Sequence, residues 1–233
     1  MKPVLVHGLR VPVDRGEVSP TIWSALVEGT YEAKEARWAP KAARPGDRIL
    51  ELGAGIGVIT SLLASVPDVT VWAFEADPDS ADLARRVLKA NGLSNVELHQ
   101  GLLAAGEPRE FTFYKRRDLW MSSLVEHQGS YDDVIGLVSQ DIDAVVRRHA
   151  ISLLVMDIEG AELELLSRAE LPGVERIFCE LHDHLYGLEG IQEITVQLAR
   201  KGWAYDPRGS RGPCVLFNRD RSPREYCPED TDA

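Results

Sequence analysis

The segment running from Arg48 to Ala64, RILELGAGIGVITSLLA, constrains the fold more than any other part of the chain. An apolar run, three alternate glycines and a second apolar run read as strand, tight turn and helix. A strand that feeds directly into a helix does not return by a hairpin. Its next strand lies parallel to it, with the helix crossing over one face.

The alternation then recurs. Val69–Glu75 reads as a strand, Asp79–Ala90 as an amphipathic helix with Leu83, Val87 and Leu88 on one face, and Val96–His99 as a short strand. Residues 110–114 alternate as a strand does, 115–135 read as a long irregular stretch, and 139–149 read as helix. Strand 151–157, helix 160–168, strand 175–181 and helix 189–201 follow, and 202–206 with 213–218 read as a closing antiparallel hairpin. Upstream, residues 3–13 suggest a small hairpin about His7-Gly8, and 21–37 one helix ending before Pro40 and the Pro45-Gly46-Asp47 turn. The expected class is α/β, doubly wound, with a mostly parallel sheet whose ligands bind beyond the carboxyl ends of the strands. The expected divisions are an N-terminal hairpin and helical extension (1–46), a core (47–218) and a flexible tail (219–233).

Composition narrows the function. With 26 Lys and Arg against 37 Asp and Glu, the formal charge of −11 argues against nucleic acid or an anionic membrane surface as partner. The apolar run before His7 is too short for a signal-peptide core, and no stretch reaches membrane-spanning length. Cys179, Cys214 and Cys227 are odd in number and lack metal-type spacing, so the expectation is reduced thiols in a cytoplasmic protein.

The glycine loop carries chemical information. Gly53, Gly55 and Gly57, with Ala54 between them, follow G-x-G-x-G, whereas a dinucleotide fingerprint needs glycine where Val58 stands. Glu51 before the loop suits an ammonium group and would repel a pyrophosphate. Glu75, at the end of the next strand and followed by Ala76, can accept hydrogen bonds from ribose hydroxyls. Two carboxylates so placed suit a cationic nucleoside without phosphates, and S-adenosylmethionine is that ligand. Asp77 is then a candidate for the adenosine, Asp79 reads as the N-cap of the following helix, and Gln100 with Gly101 are candidates for the adenine.

A second site marker is VMDIEGAELELL, residues 155–166. Asp157 and Glu159 follow a buried strand and, along an extended segment, share one side. Glu162 falls in the first turn of the next helix, where a carboxylate favours the helix dipole without any catalytic task. Glu180 and His182 share a side at the end of the neighbouring strand, and His182 is the candidate base. A rival use assigns Asp157, Glu180 and His182 to a divalent cation such as Mg²⁺, with Glu159 beside them. Trp120-Met-Ser-Ser123 reads as a lid over substrate.

The D-x-E-G-A-E block, together with Glu28-Gly-Thr-Tyr-Glu32 and Ser122-Ser-Leu124, resembles the FkbM family of S-adenosylmethionine-dependent methyltransferases. The resemblance implies the class I methyltransferase fold with a seven-stranded sheet. It implies O-methylation of a sugar, polyketide or other secondary metabolite, with a metal-dependent reaction on a diol, or N-methylation of a small amine or peptide, as alternatives. It also implies that Asp157 and Glu159 stand beside the methyl donor, that Tyr31 and Glu32 close over the cofactor, and that Ser123 lies near it. Glu51 stands where many members carry aspartate. The expected partner is a small-molecule acceptor, with no nucleic acid and no membrane; a homodimer stays open.

Overall fold

The computed structural model describes residues 2–220 and 222. A small hairpin of β1 (Val4–Val6) and β2 (Leu9–Val11) precedes two helices, α1 (Pro20–Glu28) and α2 (Ala33–Ala42). The core runs β3 (Arg48–Leu52), α3 (Val58–Ala64), β4 (Thr70–Glu75), α4 (Pro78–Ala90), β5 (Val96–Gln100) and β6 (Leu103–Ala104). It continues through β7 (Glu110–Lys115), β8 (Asp133–Val138), β9 (Gln140–Asp141), α5 (Ile142–His149), β10 (Leu153–Met156) and α6 (Glu162–Arg168). The described fold closes with β11 (Arg176–Glu180), α7 (Asp183–Arg200), β12 (Ala204–Arg211) and β13 (Cys214–Asn218).

Seven strands form the central sheet in the order β12-β13-β11-β10-β3-β4-β5. The five strands from β11 to β5 are mutually parallel, while β13 is antiparallel to β11 and β12 to β13. This is the doubly wound, mostly parallel α/β fold expected of a class I methyltransferase. Side-chain alternation sorts the core into two layers. Ile49, Leu153, Val155 and Phe178 face the layer built with the hairpin, α1, α2, α3 and α4. Leu50, Leu52, Leu154, Met156, Ile177 and Cys179 face α5, α6 and α7. The register Val155↔Glu51↔Ala73 places Glu51 on the first face, inside an apolar layer.

The N-terminal helices are fastened to that layer by a buried pair. Arg176 donates to Asp47 at 2.6 and 3.0 Å and to the Ala42 carbonyl at 2.6 Å, so β11, the start of β3 and the end of α2 meet at one guanidinium. Such a bidentate pair fixes orientation more than it adds stability.

Four elements differ from the sequence expectation. The helix expected over 21–37 is two helices, because Gly29 takes a left-handed conformation (φ 70°) and returns its N–H to Ala25 and Leu26. The second helix carries Pro40 inside it and ends at Ala42. The irregular stretch 115–135 contains two short 3₁₀ turns and gives way to β8, which pairs antiparallel with β7 from Lys115↔Asp133 to Glu110↔Val138. The last long helix begins at Asp183, six residues earlier than expected, with a kink at Gly187 (φ 65°, ψ 178°). The Pro207–Pro213 loop is largely strand, since β12 runs to Arg211 with a register shift after Asp206. Cys179 and Cys214 are buried free thiols; Cys227 and most of the tail predicted flexible lie outside the described residues. No helix among the described residues is long and apolar enough to cross a membrane.

Candidate active site

A cleft of about 850 Å³ opens beyond the carboxyl ends of β3, β4 and β10. Its lining includes Gly53, Gly55, Glu75, Ala76 and Gly101 together with Tyr31, Glu32, Asp157 and Glu159; Gly53 lies against the Asp157 backbone, and Gly55 faces Tyr31 and Glu32. Leu119, Trp120, Ser122 and Leu124 from the segment after β7 complete the wall, and Leu52, Phe74, Leu103 and Phe113 make it largely apolar. The tilted Trp120 ring lies 5.9 Å from that of Tyr31, so the predicted lid and the α1–α2 turn meet across the cleft.

The glycine loop is built by packing as much as by access. A Cβ on Gly53 (φ 82°) would sit 1.8 Å from the Asp157 carbonyl oxygen, so only glycine lets the β3 and β10 loops touch. Gly57 is pressed against Ala84 of α4, where a Cβ would meet 3.0 Å contacts. Gly55 lines the cleft itself, and its N–H donates to Glu75 Oε2 at 2.7 Å. The other Glu75 oxygen accepts from the Asp77 N–H at 2.8 Å. Burial pushes the Glu75 carboxyl up to about 7 although these two backbone donors pull it down. Each oxygen keeps a free acceptor direction, as a ribose diol requires.

Several residues predicted to hold the cofactor do not line this cleft. Asp77, rather than Asp79, caps α4: its side chain accepts from the Asp79 N–H at 2.9 Å and meets Lys115 at 3.1 Å. The Gln100 amide donates back to the Ala76 carbonyl, and only the neighbouring Gly101 faces the cleft. Ser123 is buried in the loop after β7, where its neighbours Ser122 and Leu124 line the wall instead. Ala54 and Gly57 are outside the cleft lining. Glu51 lines a second, smaller hollow behind the cleft, together with Glu32, Glu35, Asp157 and Glu180. Burial pushes both Glu51 and Glu32 up to about 8 and Glu180 to about 7.

The acidic pair of the D-x-E-G-A-E block comes together by a route the alternation rule missed. Glu159 is left-handed (φ 50°), so the segment is not extended, yet both carboxylates reach one imidazole. His182 Nε2 stands 3.5 Å from Asp157 and 3.6 Å from Glu159. Burial raises Asp157 well above the ordinary carboxylate range, with Glu180, Glu159 and Glu162 adding to it. Glu159 is raised too, again mainly by burial, while His182 and the Gln128 amide act against it. The strand carrying Glu180 ends there, so His182 belongs to the turn entering α7 rather than to an extended segment. It lies behind the carboxylates, buried and outside the cleft lining.

Glu162 is the residue whose role the sequence reading misplaced. It is fully buried, and its two oxygens accept from the Ile158 and Gly160 N–H groups at 3.0 Å each. Its Oε1 lies 3.2 Å from His182 Nδ1. The carboxylate thus folds the 157–162 loop around itself and backs the imidazole. Burial works against a charged His182, but Glu162, Glu159 and Glu180 outweigh it and raise the ring above its usual value. Glu162 precedes the buried Leu165 and Leu166 by three and four residues, a helical spacing that marks it as core-facing. Asp157, Glu180 and His182 also present donor atoms within 4.8 Å of one another, a spacing a divalent cation can bridge.

Known proteins resemble parts of this chain. A 69-residue stretch is 42% identical to the protein-L-isoaspartate O-methyltransferase of Anaeromyxobacter dehalogenans, covering 29% of this chain and 32% of that protein. Another, of 82 residues, is 35% identical to the 23S rRNA (uracil(1939)-C(5))-methyltransferase of a Shewanella species, over 35% of this chain and 18% of that one. The chain therefore spans about a third or less of these curated relatives. Among solved structures, the S-adenosylmethionine-dependent O-methyltransferase of Thermotoga maritima superposes with a TM-score of 0.49 at 14% identity, over 82% of this chain and 67% of that one. Trm5b of Pyrococcus abyssi superposes with the same TM-score at 16% identity, over 91% and 54%. The Methyltransferase FkbM domain matches residues 51–203, well over half of the sequence, and the chain belongs to this family of class I S-adenosylmethionine-dependent methyltransferases.

Proposed function

We propose that this protein methylates a hydroxyl group of a small, uncharged or cationic molecule, such as a sugar or other secondary metabolite. The observation that carries the reading is the cleft itself: it is lined by Glu75, Gly55, Asp157 and Glu159, with no lysine or arginine among its lining residues. A phosphorylated or carboxylated acceptor would find only repulsion there. S-adenosylmethionine supplies a methyl group already activated on a sulfonium, so the chain's tasks are orientation, exclusion of water and proton removal. In this reading Glu75 takes the ribose hydroxyls and the loop at Gly55 carries the nucleoside, with Ala76 and Gly101 on either side. Tyr31, Glu32 and Trp120 cover the cleft. The Asp157–Glu159 pair, whose carboxyls line the cleft, accepts the acceptor's proton. His182, 3.2 Å from Glu162, stands behind the pair within 3.6 Å of both carboxylates.

Calorimetric titration with S-adenosylhomocysteine tests the cofactor assignment: micromolar binding by the wild type and a loss of tenfold or more in Glu75→Ala are expected, on the order of one lost charged hydrogen-bond pair. Release of S-adenosylhomocysteine in the presence of a panel of acceptors tests the rest. Neutral polyols and amino sugars are expected to react, and their phosphorylated forms are not. Asp157→Asn should reduce turnover by about 10²-fold or more with cofactor affinity nearly unchanged. Preference for an anionic acceptor would overturn the reading.

A second reading gives Asp157, Glu180 and His182 to Mg²⁺ and the acceptor to diols, and the donor spacing favours it. Under this reading EDTA abolishes turnover and Mg²⁺ restores it; under the first, EDTA has no effect.

A further inference from the structure

The segment between β7 and β8 is organised from within. Arg116 is buried, and its guanidinium donates to the carbonyls of Tyr114, Met121, Val125 and Glu126 at 2.7 to 3.2 Å. One cation thus gathers the whole turn that carries Trp120 and Ser122 into the cleft wall. Ser123 extends this web: its hydroxyl accepts from the Val125 N–H and donates to Gln128 Oε1 at 2.5 Å. The other end of the Gln128 amide faces the Glu159 carboxylate, which as an acceptor takes the NH₂ group. The Nε2 end donates to Glu159 Oε2 at 2.8 Å.

Glu159 needs such a hold. It is a non-glycine residue in the left-handed region, a conformation that persists only where its surroundings over-determine it. Its backbone is shaped from below by Glu162, which takes the N–H groups on either side of it. Gln128 supplies the hold from above, and it comes from the same segment that walls the cleft. Gly160 completes the contact, since a Cβ there would stand 3.2 Å from Val125.

We propose that Gln128 is a positioning residue: its amide, oriented by the Ser123 hydroxyl, latches the 116–128 segment onto Glu159 and holds that carboxylate facing the cleft. The proposal rests on the reading above only in giving Glu159 a part in the reaction; the latch itself is a claim about geometry. Closure of the wall and placement of the acid become one event. A substrate that displaces Trp120 also disturbs Glu159, and a correctly seated one finds the carboxylate fixed.

The latch is tested by limited trypsin cleavage after the exposed Arg117, followed by mass spectrometry, with side-chain amide NMR of Gln128. Gln128→Leu is expected to be cut about tenfold faster than wild type or more, as loss of a hydrogen bond to a carboxylate implies. Gln128→Glu, which sets a carboxylate against Glu159, should be cut faster still. Gln128→His keeps an N–H donor at similar reach and should restore the slow rate. Adding Glu159→Ala to Gln128→Leu should add nothing, because both remove the same bond. The Gln128 side-chain amide resonance should move in Glu159→Ala and in Ser123→Ala. S-adenosylhomocysteine affinity should stay within a few-fold in Gln128→Leu and Gln128→His; its loss in the wild type would instead strike at the methyltransferase reading and leave the latch standing. Wild-type cleavage in Gln128→Leu, multiplied rates in the double variant, or an unmoved amide resonance would overturn the proposal.

Discussion

Replacing Glu51 by glutamine should stabilise the ligand-free protein, and the gain should depend on pH in one direction. Glu51 sits at the central strand, 2% exposed, in an apolar layer, and its Oε2 has no hydrogen-bond partner among the described residues. Burial pushes its carboxyl from 4.5 up to about 8, with Glu75 adding to the rise and the Thr60 hydroxyl opposing it. A carboxyl raised in the folded state holds a proton there that the unfolded chain releases. Stability therefore falls as pH rises from 4.5 to 8, and the loss is complete above 8. Each pH unit inside that window is worth about 1.4 kcal/mol, which sets a ceiling of about 5 kcal/mol for the whole shift. Entry of water and side-chain adjustment reduce this in practice, so a gain of about 2 kcal/mol at pH 8 and less than about 0.5 kcal/mol at pH 5 is expected for Glu51→Gln. The amide is close to the carboxyl in size, so the variant keeps the packing of the hollow that Glu51 shares with Glu32, Asp157 and Glu180.

The assay is urea unfolding of both proteins at pH 5, 6.5 and 8 without ligand. The midpoint should move at constant slope, the signature of a stability change without a change in exposed area. A difference between variant and wild type that is the same at all three pH values would refute the reasoning, as would a loss of stability at pH 8. S-adenosylhomocysteine affinity measured on the same samples should stay within a few-fold, since Glu51 lines the hollow behind the cleft and not the cleft itself.

Three other outcomes follow from the same geometry. Glu75 accepts ribose hydroxyls best when ionised, and its carboxyl lies at about 7, so S-adenosylhomocysteine affinity should fall as pH drops from 8 to 6, and titration calorimetry of Glu75→Gln should show a weaker but flatter profile. Gly53→Ala should destabilise the fold by about 3 kcal/mol or more, because φ 82° and a 1.8 Å clash with the Asp157 carbonyl both oppose a Cβ; thermal unfolding of the variant checks this. Trp120→Ala should raise the acceptor KM much more than that of S-adenosylmethionine; equal rises would move Trp120 from the acceptor wall to the cofactor.

The alternation of strand and helix was legible because the central strands are buried on both faces and read as unbroken apolar runs. Legibility failed where single residues decide the path. Gly29 breaks one periodic helix into two, and periodicity cannot register a left-handed turn inside an otherwise regular pattern. The β8 strand, with a glycine in its middle and four of its six residues exposed, lacks the buried run that marks its neighbours. Glu75, Asp157, Gly53 and Gly55, which line the cleft, stand out in the sequence because ligand chemistry favours their types at those places. Gln128 was not, because nothing in its neighbourhood distinguishes a latch from a solvated glutamine; its meaning comes from Glu159, which lies 31 positions away along the chain.

Glu162 shows why the remaining site chemistry needed three dimensions. A glutamate in the first turn of a helix has a sufficient local explanation in the dipole, and that explanation fits its position in α6. The structure assigns the same carboxylate two further tasks that no local rule contains. It accepts the N–H groups of Ile158 and Gly160, so the Asp157–Glu159 loop is wound around it, and it lies against His182, which arrives from the next crossover. A fully buried carboxylate is costly unless its acceptor sites are filled, and here two backbone donors occupy them while the His182 ring stands 3.2 Å away. The cost is met only when the loop, α6 and the turn into α7 are all in place. That makes Glu162 a check on assembly: the acidic pair reaches its geometry only once the neighbouring strand has delivered its histidine.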